Sequence, residues 1–241
     1  LSLYGLWVRQ QIGLRQQWRS YLLLGFLNNV VPFLLIATAV ANLNASIAAI
    51  LNATTPLFTA IVAAIWLKEP LNGRKITGLI LGITGVAILV GWSPLPLSLP
   101  VIVGGICALI AAFSYGVAAV YARRTFWQNQ PLETAIGQLT GAGVLLLPIA
   151  IASSGASSHF SIEIAGAVFI LAAACTAFAY WLYFQLIASA GAVRTATVTF
   201  LVPIFGLLFG KILLAEPVNL GIIVGLITIL LSVWLVIGAK R

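Results

Sequence analysis

The residues that could do chemistry in this sequence are amides and hydroxyls set inside apolar runs. Asn52, Thr55, Pro56 and Thr59 fall at i, i+3, i+4 and i+7, which places them in one polar stripe on one face of a helix. Thr199, with Thr195 one turn before it and Pro203 after it, draws a second stripe. Asn28 and Asn29 stand together in an apolar stretch four and three residues ahead of Pro32. Proline removes a helical hydrogen bond and can free a carbonyl toward a cavity. Tyr115, Tyr180, Trp181, Tyr183 and Gln185 add aromatic and amide groups to two further apolar segments. Groups of this kind suit small zwitterionic or amphipathic metabolites such as amino acids better than multiply charged phosphates, which call for Arg or Lys. Each also has a plain structural use: Asn bonds neighbouring helices in bundles, and Thr bonds its own i−4 carbonyl.

Covalent and metal chemistry has little to work with. His159 is the one histidine, and it sits in a polar loop. Cys107 and Cys175 lie in apolar stretches without CxxC or metal spacing, where Cys acts as a small hydrophobe. No catalytic residue, metal site or cofactor is expected. The acidic residues Glu69 and Glu216 each precede a proline, Pro70 and Pro217, and are expected to be turn architecture at helix ends.

The elements that must position these groups are membrane helices. The chain is 62% hydrophobic and 7% charged, against about 25% charged residues in a soluble domain. It cannot cover itself with polar surface, so its solvent is lipid. No Asp, Glu, Lys or Arg occurs from Ser20 to Leu67, Ile76 to Ala122, Thr134 to Ile162 or Ile164 to Val193. With about 20 apolar residues needed per span, and breaks at Asn42-Leu43-Asn44 and Ser93 to Pro100, eight spans result. They cover approximately 20–41, 45–67, 73–92, 101–123, 132–153, 163–188, 192–214 and 218–238. Threading them through alternate sides places every Lys and Arg except Lys211 on one face. That face is cytoplasmic by the positive-inside rule, the C-terminus included. The net charge of +8 therefore orients helices and implies no nucleic acid. The partners expected are a lipid bilayer and a small-molecule metabolite.

The chain also repeats. Pro56-Leu57-Phe58 and Leu67-Lys68-Glu69-Pro70-Leu71-Asn72 return as Pro203-Ile204-Phe205 and Leu214-Ala215-Glu216-Pro217-Val218-Asn219, at an offset of 147 residues. Leu and Ile matches arise by chance in apolar helices, but ungapped Pro, Glu-Pro and Asn matches mark a duplication. The offset spans five helices, an odd number, so the copies face opposite ways. Inverted repeats are a mark of secondary transporters that bind near the midplane. The expected organisation is a first repeat over 1–94 and a second, inverted one over 95–241. The second repeat has five helices and the first shows three and a stump, so its first helix and most of its second are expected to be missing.

The stretch Leu51-Asn52-Ala53-Thr54-Thr55-Pro56-Leu57-Phe58-Thr59 ending in Leu67-Lys68-Glu69-Pro70-Leu71 resembles the hallmark helix of EamA-type permeases of the drug/metabolite transporter superfamily. Gly25-Phe26-Leu27-Asn28-Asn29 with Pro32-Phe33, and Gly78, Gly82 and Gly85, fit the same resemblance. It implies an all-α integral membrane fold, a 5+5 inverted-repeat bundle, with eight complete transmembrane helices in this sequence. It also implies an exporter-type carrier in the plasma (inner) membrane.

The sequence thus predicts alternating access around a polar cavity lined by Asn52, Thr55, Tyr115, Tyr180 and Thr199, with Asn28 behind them. A channel or a non-transporting membrane subunit is the alternative. A membrane-embedded enzyme needs a nucleophile–base pair or metal ligands in the bundle, which one loop histidine does not supply.

Overall fold

The computed structural model describes residues 14–70, 72–92, 98–153, 161–195, 198–199 and 201–238, and every regular element among them is helical. In chain order these are α1 (Leu14–Gly25), a π-helical turn (Phe26–Val30), α2 (Val31–Asn42), α3 (Ala45–Asn52), α4 (Thr55–Trp66), α5 (Gly73–Gly91) and α6 (Leu99–Thr125). There follow α7 (Pro131–Ser153), α8 (Ile162–Ile170), a second π-helical stretch (Leu171–Phe178), α9 (Ala179–Ala190), α10 (Ala192–Thr195), α11 (Leu201–Leu214) and α12 (Leu220–Ile237). Among the described residues, five helical runs are long and apolar enough to cross a membrane: Gln16–Asn42, Ala45–Trp66, Leu99–Thr125, Pro131–Ala152 and Ile162–Ala190. Leu201–Leu214 and Leu220–Val236 are apolar but shorter. The expected spans differ in detail. The span at 45–67 is broken between α3 and α4, the span at 192–214 is divided between α10 and α11, and two spans carry π-helical stretches. His159 and the loop around it lie outside the described residues.

Contacts divide the chain into two units, Leu1–Val30 with Tyr121–Gly191, and Val31–Val120 with Ala192–Arg241. In the first, α1 packs on α7 and α9 packs on α7. Small residues set the α1–α7 distance. A Cβ on Gly25 would stand 2.6 Å from the Ala142 nitrogen, and one on Gly141 would stand 2.7 Å from the Tyr21 carbonyl oxygen. Tyr21 is buried and lies across Gly137, stacked on Phe126 at 4.7 Å between ring centroids. In lipid there is no hydrophobic gain from helix association, so this close approach of backbones is what brings the helices together.

The second unit is built on α5 and α12, which run antiparallel. A Cβ on Gly78 would meet Val236 Cγ2 at 2.6 Å and the Ser232 carbonyl oxygen at 2.8 Å, while one on Gly225 would meet Leu89 Cβ at 2.9 Å. Between these ends, Gly82 faces Ser232 and Gly85 faces Ile229. Ser232 donates its hydroxyl to the Gly78 carbonyl at 2.7 Å. Leu89, Ile222, Ile229, Val233 and Val236 join Ile47, Ile50, Leu51, Leu57 and Ala60 in one buried cluster. Each of the two helices begins on an asparagine N-cap: Asn72 Oδ1 accepts from the Lys75 N–H and Asn219 Oδ1 from the Ile222 N–H.

The α4 and α11 ends close in the same way. Lys68 and Ala215 take the left-handed conformation, with φ of 54° and 52°. Six residues after Ala63 and Gly210, the Glu69 and Glu216 N–H groups bond back to those carbonyls at 3.4 and 3.0 Å. This is a seven-to-one closure, one residue wider than the six-to-one bond of a Schellman end, with a non-glycine residue in the left-handed position.

Gly78→Ala forces the added methyl into backbone atoms of α12, and overpacking of this kind costs about 1–3 kcal/mol. Nothing lies within 4 Å of a Cβ on Gly105 in α6, where alanine gains roughly 0.5–1 kcal/mol of helix propensity. Thermal unfolding in detergent should show a lower midpoint for Gly78→Ala and an equal or higher one for Gly105→Ala.

Candidate functional site

Two prolines decide where polar backbone is laid open. Pro32 has no N–H for the Asn28 carbonyl four residues back, and Pro56 has none for the Asn52 carbonyl. An unpaired carbonyl in an apolar medium costs several kcal/mol, so each finds another donor. Tyr180 on α9 donates its hydroxyl to the Asn28 carbonyl at 2.9 Å. Thr55 donates its own hydroxyl to the Asn52 carbonyl at 2.7 Å. Asn28 lies in the first π-helical turn, and single π turns inside α-helices recur at functional positions.

In the first unit this brings Asn28 and Tyr180 together, as two of the expected site residues. It also adds one that sequence reasoning passed over. Gln138 on α7 is fully buried and sits between the two asparagines. Its Oε1 accepts from Asn28 Nδ2 at 2.9 Å, and its Nε2 donates to Asn29 Oδ1 at 2.8 Å. Both Asn side chains are 2% exposed. The Asn28 amide is therefore engaged in an interhelical bond, the structural use weighed for it from sequence. The signal for Gln138 was the one that drew notice to Asn28, a lone amide in an apolar span. One turn nearer the α7 start, the Tyr21 hydroxyl donates to Glu133 Oε1 at 3.1 Å and accepts from Asn129 Nδ2 at 3.0 Å. Tyr180 stands in a cluster with Tyr183 and Phe184, at 6.3 Å from each between ring centroids.

In the second unit the α3–α4 break brings Asn52 and Thr55 together. Ala53 and Thr54 are the residues between the helices, and the Thr54 hydroxyl donates to the Leu51 carbonyl at 2.7 Å. Thr59 donates to the Thr55 carbonyl at 2.9 Å. These threonines thus serve the backbone of their own segment. Asn52 differs. Its side-chain Oδ1 is buried and has no hydrogen-bond partner, the one such side-chain atom among the described residues. Tyr115 is half-buried on α6, next to Gly116, where a Cβ would press on the Thr59 nitrogen at 2.8 Å. Thr199, half-buried, lies just ahead of α11 and Pro203.

The turn glutamates are placed differently from one another. Glu216 takes the α3 N-terminus: its Oε1 accepts from the Ala45 N–H at 2.7 Å, and its Oε2 from the Ser46 N–H at 3.1 Å and the Ser46 hydroxyl at 2.6 Å. A carboxylate there satisfies free N–H groups and the positive end of the helix dipole. Glu69 instead lies 3.9 Å from Lys75 Nζ. Pro70 and Pro217 follow each in the extended turns. No group of three or more His, Cys, Asp or Glu is placed to hold a metal among the described residues.

The profile of the EamA-like transporter family matches residues 1–91 and 102–238. "Uncharacterized transporter YvbV" of Bacillus subtilis (strain 168) is 26% identical over 94% of this chain and 74% of its own length. "Uncharacterized transporter YoaV" of the same organism is 22% identical over 92% and 76%. An "Uncharacterized transporter" of Archaeoglobus fulgidus is 22% identical over 82% and 70%. A solved chain titled "Crystal structure of protein" shares the fold, with a TM-score of 0.69 over 97% of this chain and 80% of that one, at 17% identity.

Gln138→Leu leaves Asn28 Nδ2 and Asn29 Oδ1 without their partner, and stranding buried polar groups costs about 1–3 kcal/mol. In thermal unfolding, Asn28→Leu combined with Gln138→Leu should destabilise by less than the two single losses added together. Additive losses would separate the two residues energetically.

Proposed function

The chain belongs to the EamA-like transporter family, and from that premise we propose that it exports a small amino-acid-like or amphipathic metabolite across the plasma membrane by alternating access. Its family and its apolar helices make it a multi-pass membrane transporter. The finer reading is carried by one observation, the buried and unpartnered Asn52 Oδ1 at the break of a membrane helix. Discontinuous helices supply the binding groups of many carriers. A buried acceptor left open, where the other buried side-chain polar atoms of the described residues are paired, is a place for a ligand donor such as an ammonium or amide N–H. Thr55, Tyr115, Thr199, Tyr180 and Asn28 are the further groups proposed to meet the substrate.

The inverted 5+5 repeat over 1–94 and 95–241, with eight complete spans, is part of this reading, and the contacts support it. Under the 147-residue offset, the Gly78–Val236 contact becomes Leu89–Gly225, and Gly85–Ile229 becomes Gly82–Ser232. Both pairs are present, as a two-fold axis between antiparallel copies requires. The left-handed residues 68 and 215, the caps 72 and 219, and the π-helical stretches at 26–30 and 171–178 also correspond at that offset. The threading has support of the same kind. Glu216 with Ala45, Asn219 with the Trp92 carbonyl, Arg74 with Trp234 and Arg123 with the Ala188 carbonyl each join chain ends expected on one side. The face of Arg74, Arg123 and the C-terminus is proposed to be cytoplasmic.

Counterflow of a panel of radiolabelled amino acids in liposomes tests transport. Saturable exchange is expected, and an ion conductance without counterflow would mean a channel. Asn52→Leu removes an acceptor at nearly constant volume, and one hydrogen bond is worth about 0.5–1.5 kcal/mol. Apparent affinity should fall by roughly threefold to tenfold at an unchanged membrane level. Normal transport with a reduced membrane level would make Asn52 a packing residue. In a Cys-free background, Arg124→Cys should react with an impermeant thiol reagent only from the cytoplasmic side.

A further inference from the structure

We propose that the substrate is bound as a zwitterion, an amino acid whose free ammonium group donates to Asn52 Oδ1 at the end of α3. This rests on the transport reading above and narrows its substrate class to compounds that carry both charges.

The break between α3 and α4 has spent its donors. The Ala53 N–H goes to the Ala49 and Ile50 carbonyls, and the Thr54 N–H to the Leu51 carbonyl. The hydroxyl hydrogens of Thr54, Thr55 and Thr59 go to the Leu51, Asn52 and Thr55 carbonyls. A hydroxyl that has donated its one hydrogen can only accept. What these groups have left is lone pairs, and the buried Asn52 Oδ1 is an acceptor with no partner. A ligand that meets this set must bring hydrogens. An ammonium brings three and accepts none. It also suits the place, because Asn52 is the last residue of α3 and a helix C-terminus carries the negative end of the dipole.

An ammonium at membrane depth is costly without a counter-charge. No Asp or Glu occurs between Ala45 and Trp66. Glu69 follows the far end of α4, and Glu216 sits on the opposite end of α3, which at eight residues is about 12 Å long. The ligand therefore has to balance its own ammonium, which makes it a zwitterion. The neighbouring helix agrees. Ala49 faces Gly206 and Ser46 faces Gly210, so α3 and α11 run antiparallel. Three residues beyond Ala49, Asn52 is level with the first turn of α11, which begins at Leu201. The negative end of one helix thus lies beside the positive end of another. Paired opposite ends favour a dipolar molecule over a net cation or a net anion.

The test is competition for counterflow in liposomes, with the full chain and the radiolabelled amino acid of the panel that exchanges best. The unlabelled competitors are that amino acid, its N-acetyl and N-trimethyl derivatives, and its methyl ester. The N-acetyl compound lacks the positive charge, the N-trimethyl compound keeps the charge without an N–H, and the ester lacks the carboxylate. Each should compete at least about threefold more weakly than the parent. In Asn52→Leu the parent should lose its advantage over the N-trimethyl compound. Equal competition by any of the three derivatives in the unmodified chain overturns the proposal. So does an advantage over the N-trimethyl compound that survives in Asn52→Leu. In those cases counterflow itself persists, and the transport reading stands. The series on the unmodified chain needs no variant, so it decides the matter if Asn52→Leu does not reach the membrane. If no amino acid of the panel exchanges, the transport reading fails and the zwitterion site with it.

Discussion

Every backbone carbonyl in an apolar medium must find a donor, and α2 and α4 each carry at their second residue a proline that withholds one. Pro32 and Pro56 deny their N–H to Asn28 and Asn52. The Tyr180 and Thr55 hydroxyls answer. From that requirement follow the position of Tyr180 on α9 and the local turn at Ala53-Thr54. Asn52 Oδ1 is the point where the pairing stops. The same rule that explains the other polar atoms makes that one stand out.

Packing obeys a second constraint. Lipid gives helices no hydrophobic reason to associate, so α1 on α7 and α5 on α12 depend on glycines that let backbone meet backbone. These contacts hold the polar groups at fixed distances. Gly25 over Gln138 and Ala142 is what allows Gln138 to reach both Asn28 and Asn29. The amide chain is thus a product of the small residues beside it.

Much of this was legible in the chain itself. Charge-free lengths located the helices, and Asn72 and Asn219 marked two helix starts through their cap chemistry. The Glu-Pro repeats pointed to turns that the structure closes alike at both copies. Local chemistry sufficed because caps and turns are made within a few residues. What escaped the sequence depends on residues more than 100 positions apart. Gln138 bridging Asn28 and Asn29 is such a case, as is Glu216 crossing to Ala45 and Ser46. The two Glu-Pro turns differ locally at the position that pairs with Glu69: Lys75 stands six residues after Glu69, and Ile222 six after Glu216. The break between α3 and α4 lies between these extremes: Pro56 made it foreseeable, yet the expected span ran through it, because a proline near a helix start is equally compatible with a continuous helix whose neighbours supply the missing bonds.

The substitution of side-chain donors for backbone ones at Asn28 and Asn52 has a mechanical meaning. An unbroken helix resists bending because its ladder of N–H bonds stretches on one side. Where proline has removed a rung, bending at that point stretches no such bond. The replacement bond turns about a hydroxyl or side-chain torsion, and free side-chain torsions relax in roughly picoseconds to nanoseconds. Compliance at 28–32 and 52–56 is therefore set by two hydroxyl groups, each of which can let go and return without any unwinding of the chain.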